Sequence, residues 1–439
     1  MKILFAYFIE DFCYPASILA SLAVRKGCEV DFGYFTPEDT EETIEEKLCH
    51  IKPDLLALSF MLYSRDEAFL IARVAKEMGI KVIAGGVHPT LCPEDLLESG
   101  YFDGVVVGDG MGIFEDIIDN FKSLDGRLRP GKKHPEDALY FSRFFSNKQK
   151  KILKQTKTYE IFTTFGCPFH CAFCSKTFCG VRKFPLEMVM DSLTTAKCDF
   201  GIENIVIWDE VFSLNHTRLV EFRKKLNERE LNLNFIVSAH TSLFRYKTAE
   251  EFNRIGVTEA WFGVETASDR LLAFLNKISS VHDARRASKL CKECGIPFCI
   301  YLIVGLPTQI EKDYEMTVDF VRQTEPDKVI VSYFTPYPGS TLFTYCLENG
   351  YMPKNWGFER YLQADDQIAG TSEKVFSGLN NIDYDLARYY KHKIEQTVAS
   401  NNKMKKIRTI PLDVNLKASQ DEIGNATLAQ MARKINMET

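Results

Sequence analysis

The sequence predicts an α/β protein that contains two successive sheets of parallel strands. In residues 1–125, and again in residues 156–350, short apolar runs alternate with helical segments. This alternation is typical of parallel strands joined by crossover helices. Glycine and polar residues recur directly after the apolar runs, at the sheet edge where such folds bind ligands. We therefore expect a doubly wound, Rossmann-like domain followed by a partial (β/α)6 barrel.

The composition is that of a globular protein of two or three domains. The 439 residues are 45% hydrophobic and 26% charged, and the net charge of -6 provides no basic field for nucleic acid. No uncharged run approaches the length of a membrane span. The apolar segment Met1–Ile9 is followed at once by Glu10 and Asp11, unlike a signal peptide. Thirteen cysteines without a secretory signal indicate a reducing cytoplasm.

Five strands and five helices are predicted in residues 1–125. The predicted strands are Lys2–Phe8, Glu29–Tyr34, Leu55–Phe60, Lys81–Ala84 and Asp103–Val107. The predicted helices are Ala16–Lys26, Thr40–His50, Arg65–Met78, Glu94–Ser99 and Ile113–Phe121. Their order implies a doubly wound sheet whose ligand lies at the carboxyl ends of the strands, near the point where the strand order reverses.

Glycines mark that edge of the first sheet. Gly85 and Gly86 follow the fourth strand, Gly108 and Gly110 follow the fifth, and Ser59 ends the third. Clustered glycines allow a bulky ligand to approach the backbone closely. The sequence therefore predicts a ligand slot there. His88 lies in the same turn. For its imidazole, a hydrogen-bonding or packing role is favoured over metal ligation.

Six strands with crossover helices are predicted in residues 156–350, after a linker at 126–155 that contains glycine, proline and basic residues. The predicted strands are Tyr159–Phe165, Asn204–Trp208, Asn234–Ser238, Glu259–Val264, Pro297–Val304 and Val329–Phe334. The predicted helices are Leu186–Lys197, Arg218–Arg229, Ala249–Ile255, His282–Cys294 and Tyr314–Thr324. Residues 351–439 are expected to form a small, mainly helical domain that could cap the barrel, with helices at Asp383–Ala399 and Ser419–Asn436.

Three cysteines follow the first barrel strand with the spacing C-x3-C-x2-C, at Cys167, Cys171 and Cys174. In a chain without a secretory signal, such a cluster favours a metal site over disulfides. Three thiolates leave one position of a metal centre without a protein ligand, as in catalytic sites. A zinc site completed by His170 fits the spacing less well, and three chance thiols in a loop remain the other alternative.

The remaining cysteines have simpler interpretations. Cys291 and Cys294 are three residues apart on one predicted helix, and Cys299 lies in an apolar strand. Core packing explains these three better than a second cluster does. Cys179 lies just after the first cluster and could be a reactive thiol, but the sequence does not define its role.

The cysteine motif resembles that of the radical S-adenosylmethionine (SAM) superfamily, in which the three cysteines hold a [4Fe–4S] cluster and the fourth iron binds SAM. Phe173 matches the aromatic residue that is usual before the third cysteine. Gly263 and Glu265 resemble the G-x-E segment, and Gly305 with Pro307 resembles the G-x-P turn. The resemblance implies that SAM contacts these residues and Ser238. Further segments resemble the second strand end (Trp208–Ser213) and the closing P-x-P-G-T segment (Pro336–Thr341), and His240 stands where an Arg is frequent.

The N-terminal half resembles the cobalamin-binding domain that precedes many radical SAM domains. The resemblance implies a cobalamin slot lined by Tyr14, Ser59, Gly85, Gly86, Val87, His88, Gly108 and Gly110. Many such domains carry D-x-H-x-x-G after the first strand, with the His on cobalt. Here that loop, Ile9–Pro15, contains neither His nor Gly. Cobalamin would therefore bind base-off without a His lower ligand. A degenerate domain that only acts as a scaffold is the alternative.

The resemblance implies a cobalamin-dependent radical SAM enzyme. Reductive cleavage of SAM would produce a 5′-deoxyadenosyl radical that abstracts hydrogen from an unactivated carbon, followed by methyl transfer from methylcobalamin. No side chain is required as a catalytic acid or base. A small-molecule or natural-product-like substrate and an electron donor such as flavodoxin or ferredoxin are expected.

Three alternatives remain open at this point. The first is cyclisation, rearrangement or oxidation without methyl transfer. The second is a radical SAM enzyme whose N-terminal domain binds nothing. The third is a cobalamin-responsive or redox-responsive binding protein with a structural cluster, although such a protein would not need the G-x-E and G-x-P segments.

Overall fold

The structure is a computed structural model, and it describes residues 1–8, 14–129, 147–177, 180–358 and 379–404. The chain divides near residue 152 into two compact units. Each unit is built on one parallel six-stranded sheet. In the described part of the chain, no helix is both long enough and apolar enough to cross a bilayer.

The first sheet has the strand order β2-β1-β3-β4-β5-β6. Its strands are β1 (Lys2–Tyr7), β2 (Glu29–Tyr34), β3 (Leu55–Ser59), β4 (Lys81–Gly85), β5 (Gly104–Val106) and β6 (Arg127–Leu128). The order reverses between β1 and β3, which places the switch point beside the end of β3. The edge strand β6 lies in the segment that the sequence analysis placed in the linker, because a two-residue strand carries no alternating pattern.

Helices cover both faces of this sheet. They are Tyr14–Arg25, Glu41–Ile51, Arg65–Glu77, Val87–Leu91, Pro93–Ser99 and Phe114–Asp119. Helix Arg65–Glu77 shows why the helices pack on the sheet. One face of this helix is apolar and is buried against the sheet, and it carries Ala68, Ile71, Ala72 and Ala75. Five of the six match predicted helices. Helix Val87–Leu91 was not predicted, because it is a single turn that starts directly after Gly86.

The second sheet has the order β14-β13-β12-β11-β10-β7, which confirms the predicted six parallel barrel strands. They are β7 (Thr158–Ile161), β10 (Asn204–Ile207), β11 (Asn234–Ala239), β12 (Val257–Glu265), β13 (Phe298–Val304) and β14 (Lys328–Tyr333). A separate hairpin pairs β8 (Thr164–Phe165) with β9 (Arg182–Lys183), on either side of the cysteine loop. The predicted first strand is therefore interrupted after β7.

The described helices of the second unit flank this sheet. They are Leu186–Phe200, His216–Glu228, Tyr246–Ile255, Asp269–Phe274, Val281–Cys294, Glu311–Thr324, Thr341–Glu348 and Tyr384–Met404. Helix Asn147–Thr156 precedes β7, inside the segment predicted as a linker. Along the strands, one face is fully buried, as at Phe235 and Val237, while residues of the opposite face such as Ser238 remain half-buried.

The C-terminal helix Tyr384–Met404 was expected to cap the open barrel, and its packing is different. Tyr390 stacks on Tyr314 at 5.0 Å between ring centroids, and its hydroxyl bonds Glu311 at 3.1 Å. Near the other end, the Asn402 amide donates to the carbonyl of Asp327 at 2.8 Å, before β14. The helix therefore flanks the last strand as a barrel helix does. The helix predicted at Ser419–Asn436 lies outside the described residues.

Candidate functional site

The cysteine loop, residues 166–177, is held by backbone hydrogen bonds to two distant segments. The amide of Ala172 donates to the carbonyl of Leu275 at 2.7 Å, and the carbonyl of Ala172 accepts from the amide of Leu342 at 2.8 Å. The side-chain amide of Asn276 donates to the carbonyl of His170 at 2.6 Å. These contacts fix the backbone on both sides of Cys171, which limits the positions that the three thiols can take.

The start of the loop is held by an acidic pair at the end of β10. Asp209 is 1% exposed and accepts from the amides of Thr163 (2.5 Å) and Thr164 (2.9 Å) and from the Thr163 hydroxyl (2.5 Å). Glu210 accepts from the amide of Gly166 at 3.0 Å. Burial raises the pKa of Asp209, and the hydrogen bonds oppose that shift. The sequence analysis had assigned this segment only by resemblance, and its loop-holding role was missed.

The three cysteines lie within this one loop. Cys167 and Cys171 are half-buried, and Cys174 is exposed. Burial raises the pKa of the Cys171 thiol, and the charge of Lys277 opposes this. Among the described residues, no three His, Cys, Asp or Glu side chains converge on a point where one metal ion would bind. An iron–sulfur cluster does not need such convergence, because each thiolate binds a different iron.

Glu265 and Lys277 form a buried ion pair beside the loop. The distance from Lys277 Nζ to Glu265 Oε1 is 2.7 Å, and the side chains are only 7% and 9% exposed. The Lys277 ammonium lies 5.9 Å from the centre of the Phe173 ring. Glu265 ends β12 with φ of 65°. Lys277 was missed by the sequence analysis, and only its position shortly after the G-x-E segment could have indicated it.

Gly263 is required by this arrangement. A Cβ atom at residue 263 would lie 2.5 Å from Glu265 Oε1 and 3.0 Å from Lys277 Nζ. The first distance is shorter than the contacts that real Cβ atoms make, and the second is tighter than an ordinary Cβ contact. The carboxylate and the ammonium therefore lie directly over the glycine, which explains the spacing of the G-x-E segment.

His240, at the end of β11, contacts the same loop. Its ring stacks on Phe169 at 4.0 Å between centroids. His240 Nδ1 lies 2.7 Å from the Ser242 hydroxyl and accepts from the Ser242 amide at 3.3 Å. The other ring nitrogen, Nε2, is buried and has no hydrogen-bond partner among the described residues. Burial lowers the pKa of His240 to about 4, and the charge of Lys277 acts in the same direction.

The other predicted SAM contacts lie along the same sheet edge. Ser238 is half-buried and pairs with Trp261 in the sheet register. Gly305 follows β13 with φ of 74°, and its amide donates to the Tyr314 hydroxyl at 3.2 Å. The side of Gly305 that lacks a Cβ faces Ile382 at 3.6 Å. Pro307 is buried in the turn that follows.

Ser340 has a structural function in the closing segment. Its hydroxyl accepts from the amide of Phe343 at 3.1 Å and caps helix Thr341–Glu348. Serine is among the residues that helix N-termini prefer, because its oxygen satisfies an unpaired amide. The same helix carries Leu342, whose amide holds the cysteine loop. The closing segment therefore positions the loop.

In the first unit, the glycine turn after β4 packs closely against the end of β3. Gly86 has φ of 97°, and a Cβ atom there would lie 3.0 Å from Ser59 Oγ and 3.1 Å from the backbone of Phe60. Gly85 pairs with Ser59 in the sheet register. The amide of Gly108 donates to Thr90 Oγ1 at 3.0 Å, so Thr90 joins the two glycine turns. Thr90 was not identified from the sequence.

Three of the residues assigned to the predicted cobalamin slot make contacts within the first unit. His88 is 2% exposed, and its Nε2 lies 2.8 Å from Asp95, which Arg65 also binds through two nitrogens. Its imidazole therefore holds the turn, as the sequence analysis favoured, and does not line a ligand slot. The side of Gly110 that lacks a Cβ packs on Leu19 at 3.7 Å. Val87 begins the short helix and is half-buried.

Two assigned positions fall outside the described residues. The side chain of Tyr14 is one of them, although its backbone begins helix Tyr14–Arg25. Cys179 is the other. Cys291 and Cys299 are fully buried and free, so the described structure supports core packing for both.

Two family models match the chain. The model described as the radical SAM superfamily matches residues 161–321, which include the cysteine loop and β10 to β13. The model described as the B12 binding domain matches residues 14–118, which include the glycine turns.

The curated relatives include enzymes that are named for different reactions. An uncharacterized methyltransferase of Pyrococcus horikoshii is 26% identical over 329 residues, which are 69% of this chain and 72% of the relative. An anaerobic magnesium-protoporphyrin IX monomethyl ester cyclase of Rubrivivax gelatinosus is 24% identical, over 74% of this chain and 64% of the cyclase. A bacteriochlorophyllide d C-8(2)-methyltransferase of Chlorobaculum tepidum is also 24% identical, over 68% and 69%.

Solved structures share the fold. The radical SAM methyltransferase TsrM of Kitasatospora setae, solved with cobalamin and a [4Fe-4S] cluster, superposes with a TM-score of 0.66 at 17% identity. The match covers 79% of this chain and 75% of TsrM. The cobalamin-dependent radical enzyme OxsB superposes with a TM-score of 0.64 at 17% identity, covering 89% of this chain and 66% of OxsB.

Proposed function

This chain belongs to the radical SAM superfamily and carries a B12-binding domain, and we propose that it methylates an unactivated carbon of a small-molecule substrate. The coarser activity is that of a cobalamin-dependent radical SAM enzyme. The observation that carries the proposal is the presence of both domains in one chain. A radical SAM domain supplies radical chemistry, and cobalamin is a methyl carrier.

The residues present fit the cofactors of these two domains, which are a [4Fe–4S] cluster, SAM and cobalamin. Three cysteine thiols lie in a loop whose backbone is hydrogen-bonded at Gly166, His170 and Ala172. Gly86 has φ of 97° and packs against Ser59, so this turn presents backbone where we propose that cobalamin lies. When bound, the cluster and SAM supply a carbon radical, and cobalamin supplies the methyl group.

We assign the cluster to Cys167, Cys171 and Cys174. The side chains around the cluster would position SAM and exclude water. Glu265 is buried at the sheet edge, where its carboxylate can accept from the amino end of SAM, and Phe173 lies beside it. Ser238, Gly305 and Pro307 follow along the same edge as further proposed SAM contacts.

We assign the cobalamin slot to the backbone of Gly85, Gly86 and Gly108 together with Ser59. Val87 contributes its backbone at the start of the short helix. The loop after β1 contains no His, and His88 is turned to Asp95. We therefore propose that cobalamin binds without a His lower ligand. A flavodoxin or ferredoxin of the cytoplasm would supply the electrons.

Methyl transfer is favoured over other outcomes because several relatives carry the name methyltransferase, at 24–26% identity. The second candidate is cyclisation or oxidation without methyl transfer. It is favoured by the similarity to the magnesium-protoporphyrin cyclase, at 24% identity. Both candidates use the same cofactors, so the fate of the SAM methyl group separates them.

The experiment is anaerobic reconstitution with iron, sulfide and hydroxocobalamin, followed by a strong reductant and SAM that carries an isotope-labelled methyl group. We expect bound cobalamin with a base-off spectrum, slow formation of 5′-deoxyadenosine, and labelled methyl on the cobalamin. With a metabolite extract of the native host, we expect a product that carries the labelled methyl. A product that lacks it, formed together with 5′-deoxyadenosine, supports the cyclase-like candidate instead.

A matched pair of variants tests the slot. Ser59→Leu places an apolar side chain beside Gly86, so we expect it to lose most of the bound cobalamin. Ser123→Leu makes the same change at an exposed position of the same unit and should retain it. Equal retention in both variants would exclude the assigned slot, and no retention by the unchanged protein would exclude methyl transfer.

A further inference from the structure

The ion pair of Glu265 and Lys277 is more than a surface contact. Both side chains are less than one-tenth exposed, and their charged atoms are 2.7 Å apart. Burial lowers the pKa of Lys277, but the charge of Glu265 and the neighbouring Cys171 outweigh it, so the pKa is raised and the ammonium stays charged. Removing one partner of such a pair leaves an uncompensated buried charge, which is costly.

The pair lies at a strained strand end. Glu265 has φ of 65°, in the left-handed region that non-glycine residues rarely adopt. This backbone turns the carboxylate over Gly263, where the Lys277 ammonium meets it. In this orientation the carboxylate is paired with Lys277.

Residues 275–277 connect the ion pair to the cysteine loop. Leu275 and Asn276 bind the backbone of Ala172 and His170, and the next residue presents its ammonium near Phe173. The fixed positive charge is therefore held beside the segment that carries Cys171 and Cys174. A charge in a poorly solvated site acts more strongly than one in water.

We propose that Lys277 is a positioning residue with two effects. It holds the Glu265 carboxylate in the orientation that binds SAM, and its positive charge raises the midpoint potential of the cluster. The second effect follows because reduction adds negative charge to the cluster, and a nearby ammonium stabilises that form. This inference rests on the proposed function, since it assumes that Glu265 contacts SAM and that the loop holds a cluster.

The test compares four variants of the reconstituted full chain. Lys277→Met removes the charge at similar length, Lys277→Arg retains it, and Glu265→Gln leaves the ammonium uncompensated. Lys328→Met is the matched control, because Lys328 forms a 2.7 Å ion pair with Glu259 near the other end of β12. The readouts are the midpoint potential, from a redox titration followed by electron paramagnetic resonance, and the dissociation constant of SAM, from equilibrium dialysis.

We expect Lys277→Met to weaken SAM binding by about tenfold and to lower the midpoint potential. Lys277→Arg should keep the potential close to that of the unchanged protein. Glu265→Gln should also weaken SAM binding but raise the potential. Lys328→Met should change neither quantity. Opposite shifts of the potential in Lys277→Met and Glu265→Gln are not expected from structural damage, which would move both in the same direction.

The inference is overturned if both variants shift the potential in the same direction, or if neither shifts it. It is also overturned if SAM binding by Lys277→Met is unchanged. If Lys277→Met does not retain a cluster, the comparison of Glu265→Gln with Lys277→Arg still tests the inference. Of these two variants, only Glu265→Gln should raise the midpoint potential of the cluster. Failure of the unchanged protein to bind a cluster or SAM would instead overturn the proposed function.

Discussion

The ligand edges of the two sheets are built in opposite ways. At the end of β3 in the first unit, glycine lets the turn pack closely on the strand, and the polar residues His88, Asp95 and Arg65 are hydrogen-bonded to one another. At the end of β12 in the second unit, charged side chains face the cysteine loop directly. We therefore propose that the first edge selects a ligand by shape, and the second by ligation and charge.

This difference predicts different consequences of mutation. Substitutions at the first edge should act through steric exclusion of a ligand. Those at the second should act through lost ligands, unpaired buried groups or changed charge. The predictions below test this contrast, from the largest expected effect to the smallest.

The largest effect is expected from loss of a cluster ligand. Cys171→Ala removes one of three thiols, and two thiolates hold a cluster poorly, so 5′-deoxyadenosine formation should fall to background. Iron content and product are measured after anaerobic reconstitution. Cys198→Ala is the control, because Cys198 is an exposed thiol on helix Leu186–Phe200. Product formation by Cys171→Ala at the control rate would contradict the cluster assignment.

The anchor of the cysteine loop should show the next largest effect. Asp209→Ala leaves the amides of Thr163 and Thr164 and one hydroxyl without partners in a buried site. We expect the free energy of unfolding to fall by about 4 kcal/mol. Urea denaturation measures it, and Asp199→Ala, at an exposed position, provides the control. A loss below that of an ordinary surface substitution would show that the loop is held by other contacts.

His240 should make stability depend on pH. Its pKa is about 4 in the folded chain, against 6.5 in the unfolded chain, mainly because of burial, with Lys277 adding to the shift and Asp283 opposing it. The unfolded chain therefore binds the proton first as the pH falls. The stabilisation is complete above pH 6.5 and is lost towards pH 4, by up to about 3 kcal/mol.

The measurement is the unfolding free energy of the unchanged protein and of His240→Phe between pH 4 and 7, taken as a difference. Phenylalanine retains the stacking on Phe169 but does not titrate. The difference between the two proteins should therefore change across this window. A constant difference would show that the His240 imidazole is accessible to protons in the folded chain.

The smallest effect on stability is expected at the first edge. Gly86→Ala has to adopt φ of 97° and brings its Cβ within 3.1 Å of the Phe60 backbone, which should cost about 2 kcal/mol. Gly100→Ala is a matched control with φ of 71° and no neighbouring atom within 4 Å. Only Gly86→Ala should lose bound cobalamin, measured by its absorption spectrum. If Gly86→Ala and Gly100→Ala lost the same amount of bound cobalamin, cobalamin would have to bind elsewhere.

Much of the fold was predictable because strands and helices have different apolar periods. The bounds of β2 matched the prediction, and the other strands of the two sheets differ from the predicted ends by a few residues. The unpredicted elements are the helices Asn147–Thr156, Asp269–Phe274 and Thr341–Glu348 and some very short elements, such as β6 and the helix Val87–Leu91. Two to five residues bury too little apolar surface to leave a period, so tertiary contacts decide whether they form.

Local spacing was enough to predict that one parallel sheet follows the other along the chain, and to predict the three-cysteine loop and the glycine turns. Which side chains pair with one another at these sites follows only from the folded chain. It turned His88 towards Asp95, placed Asp209 under the cysteine loop, and brought Lys277 onto Glu265. Such pairings join residues that are 7 to 46 positions apart, and the pairing energy arises from burial that exists only after the chain has folded.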